Sequence, residues 1–208
     1  EVVELNSYLT DKNFVMLQNA EVTSKTSLWK VGIFDKMPII TYPILAVFYP
    51  GYMVFSSLRT KKHKDGTYTY SFVGSKKKSC KPNNFKGKIY VLINGGSFSA
   101  SSIISSNLKS NQRAFFVGEE TGGAYNGTVA AQMPLVQLPN SKVNLRIGLA
   151  LVSAAGKTNI EGRGVFPDKE ILPTLEDRKN NIDPELNWIL EDIRREKEVE
   201  LLIKPQNK

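Results

Sequence analysis

The segment GKIYVLINGGSFSASSIISSNLKSNQRAFFVGEE (87–120) constrains the fold of this chain more than any other. Its first part, GKIYVLIN, is a near-continuous apolar run that predicts a strand covered on both faces. Ile103, Ile104 and Leu108 then recur with helical spacing, and RAFFVGEE predicts a second buried strand. A strand, a helix and a strand within about 30 residues form a βαβ unit, with parallel strands and a right-handed crossover. The chain is therefore predicted to be an α/β protein.

The rest of the chain shows neither repeats nor linkers, so we predict a single domain over residues 1–208. Residues 1–9 predict a short helix, and Asp183 and Pro184 predict the start of a C-terminal helix with a frayed end. Asp65–Gly66 predicts a hairpin turn, and residues 50–80 around it are predicted to be a lysine-rich β-hairpin insertion. Further strands are predicted at 14–17, 26–35, 52–59 and 67–73, with two more between 129 and 154, and residues 169–174 are predicted to be a short strand or a tail.

The net charge of +8 comes largely from two lysine clusters, at 59–64 and 76–81. A nucleic-acid-binding face would interleave arginines with exposed aromatic residues, whereas these clusters flank a predicted hairpin. We therefore predict a solvated hairpin and no nucleic-acid partner. The longest apolar-rich run, at 37–55, contains three prolines and a glycine, and is predicted to form strands and turns without a membrane span.

Cys80 and His63 are the only cysteine and histidine of the sequence, which excludes an internal disulfide and a Cys/His metal site. No cofactor is expected. His63 lies among lysines at the tip of the predicted hairpin, and nothing near it in sequence would orient its ring. We predict that it is not catalytic. The chain begins at Glu1 without a start methionine, and we expect it to be part of a longer protein.

The turn between the predicted strand and helix is rich in serine. A nucleophilic serine belongs where a strand meets a helix N-terminus, because backbone N–H groups there stabilise an oxyanion. Ser97 nearly matches the G-x-S-x-G elbow, but position 99 is serine where the elbow has glycine. Ser99 and Ser101 fit equally well as helix caps. The residues alone leave both interpretations open.

The segment KIYVLINGGSFSASSIISSNLKSNQRAFFVGEETGG resembles the catalytic segment of the carboxyl-terminal processing (tail-specific) serine peptidases, over roughly residues 86–173. The resemblance implies a crotonase-like α/β core. It also implies that Ser99 is the nucleophile, that the Ala100 N–H supports the oxyanion, and that Glu119 matches a glutamate of the family.

Two positions depart from the lysine-dependent branch of that family. Ala124 stands where its general-base lysine would fall, and Ser102 replaces a glutamate. The sequence EGRGVFPD (161–168) instead resembles a motif of the tricorn-like branch, in which an acid orients a histidine base. Glu161 is then the orienting acid. The base would come from an N-terminal segment of the parent protein, so the 208 residues alone are expected to be inactive.

The resemblance further implies a polypeptide substrate that pairs with a strand such as Thr128–Met133. The residues expected to contact it are Gly122, Gly123, Thr128, Val129 and Ala130. It also implies export to the periplasm or cell envelope. Two alternatives stay open. One is a non-catalytic binding module whose strand GLALVSA (148–154) lines a ligand groove, and the other is a crotonase-type acyl-CoA enzyme.

Overall fold

The structure is a computed structural model that describes residues 1–25, 38–130 and 133–203. Its helices are α1 (Val2–Leu9), α2 (Tyr42–Arg59), α3 (Ala100–Ser110), α4 (Leu175–Lys179) and α5 (Pro184–Ile203). Its strands are β1 (Ala20–Val22), β2 (Thr60–Lys62), β3 (Tyr68–Tyr70), β4 (Tyr90–Ile93), β5 (Phe115–Gly118), β6 (Gly127–Ala130), β7 (Leu135–Gln137), β8 (Asn144–Arg146), β9 (Ala150–Ser153) and β10 (Lys169–Glu170). The mixed α/β class is confirmed.

A three-stranded parallel sheet, in the order β10-β5-β4, contains the predicted βαβ unit. Helix α3 connects β4 to β5, and Ile93, Leu108, Phe116 and Val165 form one buried cluster between them. Leu92 is 48% exposed, so the prediction that the first strand is covered on both faces is wrong at this position. The reason is that the described residues leave the face of β4 that carries Leu92 uncovered, while Ile93 on the opposite face is buried.

A five-stranded antiparallel sheet, in the order β2-β3-β1-β9-β6, forms the second layer. Its buried cluster consists of Ala20, Val22, Ala150 and Val152. β2 and β3 pair around a turn in which the Asp65 carboxylate accepts hydrogen bonds from both the N–H and the hydroxyl of Thr67. Strand β6 lies at the opposite edge of the sheet from β2, which leaves one side of β6 without a strand in the described residues.

Several boundaries differ from the predictions. Phe14 and Leu17 make isolated bridges, not a continuous strand, and the strand predicted at 26–35 lies outside the described residues. The region 129–154 contains four strands where two were predicted, because β7 and β8 form a hairpin of their own between β6 and β9. The segment 169–174, predicted to be a short strand or a tail, contains the two-residue strand β10.

Helix α5 begins as predicted, with the Asp183 carboxylate accepting a hydrogen bond from the Leu186 N–H at 2.8 Å. It continues to Ile203, so the expected fraying is not seen up to that residue. Trp188 stacks on Phe115 with the ring centroids 5.7 Å apart, and Asp192 accepts a 2.6 Å hydrogen bond from the Tyr90 hydroxyl. These contacts dock α5 on the parallel sheet.

The prediction of strands and turns at 37–55 is wrong, as is the strand predicted at 52–59. This part of the chain is helix α2, preceded by a 3-10 turn at Ile39–Thr41. Pro43 lies in the first turn, where its missing N–H would have no intrahelical partner, and Pro50 removes a single interior hydrogen bond. Within the range 50–80 the hairpin therefore begins only at Thr60. Its status as an insertion stays a prediction.

Candidate active site

Ser99 lies at the N-cap of α3 with an unusual backbone conformation, φ 52° and ψ −109°. An N-cap residue normally has extended dihedrals, and a positive φ in a residue with a Cβ costs about 1–3 kcal/mol. The Ser99 side chain makes no cap hydrogen bond and is exposed. Helix capping therefore does not account for this serine, and its role as the nucleophile stays a prediction.

The other hydroxyls of the turn are engaged locally. The Ser97 hydroxyl oxygen accepts from the Asn94 N–H at 3.2 Å, and the Ser101 hydroxyl donates to the Phe98 carbonyl at 2.9 Å. The Ser102 hydroxyl is buried and donates to the Ser97 carbonyl at 2.9 Å. Among the hydrogen bonds of the described residues, none involves the Ser99 hydroxyl. Of the serines at 97–102, only Ser99 has an exposed hydroxyl that makes no hydrogen bond among the described residues.

The first amide of α3 lies next to this hydroxyl in the chain. The N–H of Ala100 has no acceptor within the helix, as is general for the first turn, and no hydrogen bond among the described residues uses it. The helix N-terminus also carries a partial positive charge. An oxyanion that develops beside Ser99 would therefore meet a free donor and a favourable potential.

The glycine loop packs directly against the serine turn. The Gly123 N–H donates to the Ser97 carbonyl at 3.0 Å. A methyl group on Gly122 would overlap the carbonyl oxygen of Gly95, and one on Gly123 would overlap the hydroxyl of Ser102. The two glycines therefore allow the loop to approach the turn closely. Their predicted contact with substrate stays a prediction.

The segment at 161–165 packs in turn on the glycine loop. The Tyr125 N–H donates to the Arg163 carbonyl at 2.8 Å, and the Thr121 N–H donates to the Val165 carbonyl at 3.1 Å. A methyl group on Gly164 would overlap the Thr121 carbonyl, so close approach again requires glycine. The serine turn, the glycine loop and the Glu161 segment thus form one contiguous structure.

The carboxylate of Glu161 is exposed and accepts a hydrogen bond from the side-chain amide of Asn126 at 3.0 Å. Asn126 also bonds both backbone polar groups of Thr158, which fixes the loop before Glu161. No hydrogen bond joins Glu161 to Ser99 in the described part of the chain. Sequence reasoning missed Asn126, although an amide side chain within the glycine-rich sequence TGGAYNGT was a signal for a loop-fixing residue.

Sequence reasoning also missed Glu120. Arg163 donates to the Glu120 carboxylate through Nε at 3.0 and 3.2 Å and through Nη2 at 2.5 Å, and the Gly164 N–H donates at 2.6 Å. The hydrogen bonds from Arg163, then that from Gly164, hold the pKa of Glu120 below its ordinary value. Glu119, the residue implied by the resemblance, makes no side-chain hydrogen bond within the described residues.

This ion pair predicts a pH-dependent contribution to stability. Because the pKa of Glu120 is lower in the folded than in the unfolded protein, its ionised carboxylate stabilises the fold. This stabilisation is fully present above the unfolded-state pKa of about 4.3 and is lost as the pH falls through the folded-state pKa. We expect Glu120→Gln to lower the melting temperature at neutral pH. At pH values below the folded-state pKa of Glu120, the variant and the wild type should have the same melting temperature. If calorimetry found the same difference in melting temperature at neutral and at acidic pH, the stabilising role of the Glu120 carboxylate would be contradicted.

His63 lies in the β2–β3 hairpin, with its Nε2 2.8 Å from the Thr69 hydroxyl oxygen. No hydrogen bond links it to Ser99 or Glu161 in the described residues. Thr128, Val129 and Ala130 lie on β6, and Val129 is 54% exposed at the sheet edge. The segment expected to pair with substrate includes residues 131 and 132, which lie outside the described residues.

Residues 1–171 match the peptidase family S41. The chain belongs to this family. An S41 relative, the carboxy-terminal-processing protease of Bartonella bacilliformis, is 35% identical over 95 residues, which make up 46% of this chain and 20% of that protein. The resemblance to carboxyl-terminal processing peptidases is thereby confirmed.

Two solved structures share the fold of this S41 chain. Mature CPAF complexed with lactacystin has a TM-score of 0.52 and 22% identity, over 85% of this chain and 37% of the CPAF chain. A peptidase-like protein of Parabacteroides merdae has a TM-score of 0.52 and 14% identity, over 91% of this chain and 46% of its own. The chain therefore spans less than half the length of these relatives.

Proposed function

We propose that this S41 chain carries the nucleophile of a serine endopeptidase of the carboxyl-terminal processing type. The observation that supports this most strongly is the exposed, unengaged Ser99 hydroxyl, held at a strained N-cap next to the free Ala100 amide. Backbone strain of this kind persists where the surrounding structure imposes it, and it clusters at active sites. Family membership supports peptidase chemistry over the acyl-CoA alternative.

In the proposed reaction the Ser99 hydroxyl oxygen attacks the carbonyl carbon of the scissile peptide. Its proton passes to a base and then to the leaving amine, while the C–N bond breaks and an acyl-enzyme ester forms. Water then attacks the ester carbon and gives its proton to the same base. The base passes this proton to the Ser99 oxygen as the ester C–O bond breaks, which releases the acyl fragment as a carboxylic acid and restores the Ser99 hydroxyl. The Ala100 N–H and the N-terminus of α3 stabilise the oxyanion in both steps.

We propose that the base is a histidine from a part of the parent protein outside these 208 residues. Ala124 carries no ionisable group, and the His63 ring is bonded to Thr69 in the hairpin. The chain covers only 20% of its Bartonella relative, which leaves ample sequence to supply a base. Glu161, exposed and positioned by Asn126, would orient the imidazole, as in the tricorn-like branch of the family. The 208 residues alone would then be inactive.

The proposed substrate is an extended polypeptide that adds to β6, the edge strand of the five-stranded sheet. Gly122 and Gly123 would contact it near Ser99, and Thr128, Val129 and Ala130 would pair with it further along. An open cavity of about 510 Å³ beside β6 could hold a substrate side chain, and its lining includes Tyr68, Val129, Leu149 and Leu151.

We further propose a crotonase-like core, export to the periplasm or cell envelope, and no nucleic-acid partner.

The experiment that tests this function is labelling of the full-length protein with a fluorophosphonate. We expect stoichiometric labelling at Ser99, none in Ser99→Ala, and a slower rate in Glu161→Gln, because the base loses its orienting acid. The 208-residue chain should label far more slowly than the full-length protein. Labelling that persists in Ser99→Ala, or is absent from the wild type, would refute the proposal.

A binding module without catalysis is the second candidate, and the same cavity favours it. Leu149 and Leu151 of the GLALVSA strand line that cavity, as this alternative predicts. A protein of this kind would bind an unstructured peptide and would not react with the fluorophosphonate, so the labelling experiment separates the two candidates.

A further inference from the structure

Helix α2 presents an apolar face to solvent. The outward positions of α2 and of the 3-10 turn before it recur at helical spacing, and their side chains are 50–83% exposed: Ile40, Ile44, Val47, Phe48, Val54, Phe55 and Leu58. A surface helix of a globular protein normally shows solvent its polar face. Exposed apolar patches of this extent mark a surface that contacts a membrane or a partner.

The opposite side of α2 is less exposed. Leu45, Tyr49 and Tyr52 are half-buried, and Ser56 at the next helical position is 1% exposed. The hydroxyl of Ser56 donates to the Met53 carbonyl at 3.1 Å. Among the described elements, α2 has its main contacts with β2 and with the 3-10 turn beside it in the chain, so most of its apolar surface is uncovered.

The charge distribution around α2 favours a bilayer with anionic lipids. Residues 38–58 contain no charged side chain, and Ile39–Arg59 is long and apolar enough to cross a membrane. Immediately afterwards the exposed lysines Lys61, Lys62 and Lys64 form a basic cluster. Arg59 lies over the Phe55 ring, 4.4 Å from its centroid, so its guanidinium stays close to the apolar face. Basic side chains beside an apolar helix bind anionic headgroups.

The sheet topology argues against a membrane-spanning orientation. The chain leaves the five-stranded sheet at β1 and re-enters it at β2, and both strands pair with β3. A helix that crossed the bilayer would place its two flanking segments on opposite sides. Since β1 and β2 belong to one sheet, a spanning α2 would require residues 26–37 to cross the bilayer as well, and Lys30, Asp35 and Lys36 in that sequence make such a crossing costly.

From these observations we infer that α2 is an interfacial membrane anchor, which lies flat in one leaflet of an anionic bilayer with its apolar face in the acyl region. The basic cluster at Lys61, Lys62 and Lys64 contacts the headgroups. The inference does not depend on the proposed peptidase activity.

Cosedimentation of the full-length protein with vesicles tests this. We expect binding to vesicles of phosphatidylcholine with phosphatidylglycerol and much weaker binding to phosphatidylcholine alone. Lys61→Gln with Lys62→Gln should weaken binding to the anionic vesicles about 30-fold, since each basic residue contributes about 1 kcal/mol. Val47→Asp with Leu58→Asp should weaken it at least about tenfold, because the acidic groups resist transfer into the acyl region. The control Leu175→Asp changes an 88% exposed leucine on α4 and should bind as the wild type does.

Absence of vesicle binding would overturn the inference, as would equal weakening by Leu175→Asp. If Val47→Asp with Leu58→Asp instead dissolves an oligomer in analytical ultracentrifugation and the wild type ignores vesicles, α2 contacts a second copy of the chain. Orientation is tested in a Cys80→Ser background with Thr41→Cys, at the N-terminal end of α2, or Lys61→Cys, after its C-terminal end, and an impermeant maleimide. Equal labelling of both on intact vesicles supports the interfacial arrangement, whereas protection of only one would show a span and overturn it.

Discussion

Replacing Ser99 by alanine in the full-length protein is expected to lower kcat for hydrolysis of an unstructured polypeptide such as casein by about 10⁴ to 10⁶-fold. The variant loses the oxygen that would form the acyl bond, while the Ala100 amide and the α3 N-terminus stay in place. The residual rate should come from oxyanion support and substrate binding alone. Because Ser99 is exposed and its hydroxyl makes no hydrogen bond among the described residues, the substitution should leave the melting temperature nearly unchanged.

The matched control is Ser101→Ala, two residues further along the same turn. The Ser101 hydroxyl donates to the Phe98 carbonyl, so its removal affects a local hydrogen bond and not the proposed chemistry. We expect its kcat to stay within about threefold of the wild type, since a local neutral hydrogen bond contributes only about 1 kcal/mol. If Ser101→Ala were the inactive variant and Ser99→Ala the active one, Ser101 would be the nucleophile.

The second large effect is expected from Gly122→Ala, which should reduce kcat by about 100-fold. The added methyl would overlap the Gly95 carbonyl oxygen and the Phe98 ring, and so push the glycine loop away from the serine turn. A misplacement of about 1 Å in a catalytic arrangement costs on the order of 10²-fold in rate. The casein assay measures the rate, and thermal unfolding measures the accompanying loss of stability, expected at about 1–3 kcal/mol from overpacking.

Gly51→Ala provides the comparison for this prediction. A Cβ at Gly51 would meet no atom within 4 Å, and the residue lies inside helix α2, where alanine is the better helix former. Activity should be unchanged and the protein slightly more stable. Full activity in Gly122→Ala would show that the loop and the turn need not pack as closely as they do here.

The parts of the fold that were predicted from sequence are those in which local pattern and tertiary structure agree. The apolar run before Asn94, the helical spacing of Ile103 and Leu108, and the second run around Phe116 each fix one element. Together they permit a single right-handed connection. Asp183 and Pro184 likewise mark the start of α5 by their own chemistry.

The sequence prediction missed helix α2 because it treated the prolines at 37–55 as helix breakers. Pro43 falls in the first turn, where proline is tolerated, and Pro50 removes only one interior hydrogen bond from an 18-residue helix. The outward direction of its apolar face could not be read from the sequence either. Hydrophobic spacing indicates that a helix has an apolar side, but not which side the protein covers.

The residues by themselves also left the choice between Ser99 and Ser101 open, and only the resemblance to the family implied Ser99. Both precede an apolar helical pattern, and both are good cap residues. The difference is the positive φ of Ser99, in a turn on which the glycine loop docks through the Gly123 N–H and the Ser97 carbonyl. That contact joins segments far apart in the chain. The role of Asn126 could not be read from the sequence either, because it depends on hydrogen bonds to Glu161 and Thr158, which lie far away along the chain.

The packing of the serine turn, the glycine loop and the Glu161 segment relies mainly on peptide groups: Gly123 to Ser97, Tyr125 to Arg163, and Thr121 to Val165. Every residue type except proline offers the same donor and acceptor. A lineage could therefore exchange the side chain at position 124 without displacing Ser99. Gly122, Gly123 and Gly164 admit no such exchange, because a Cβ at each would overlap a neighbouring atom. If Ser99 is the nucleophile, as proposed, inheritance of these three glycines constrains the family more tightly than inheritance of any one residue that takes up the proton.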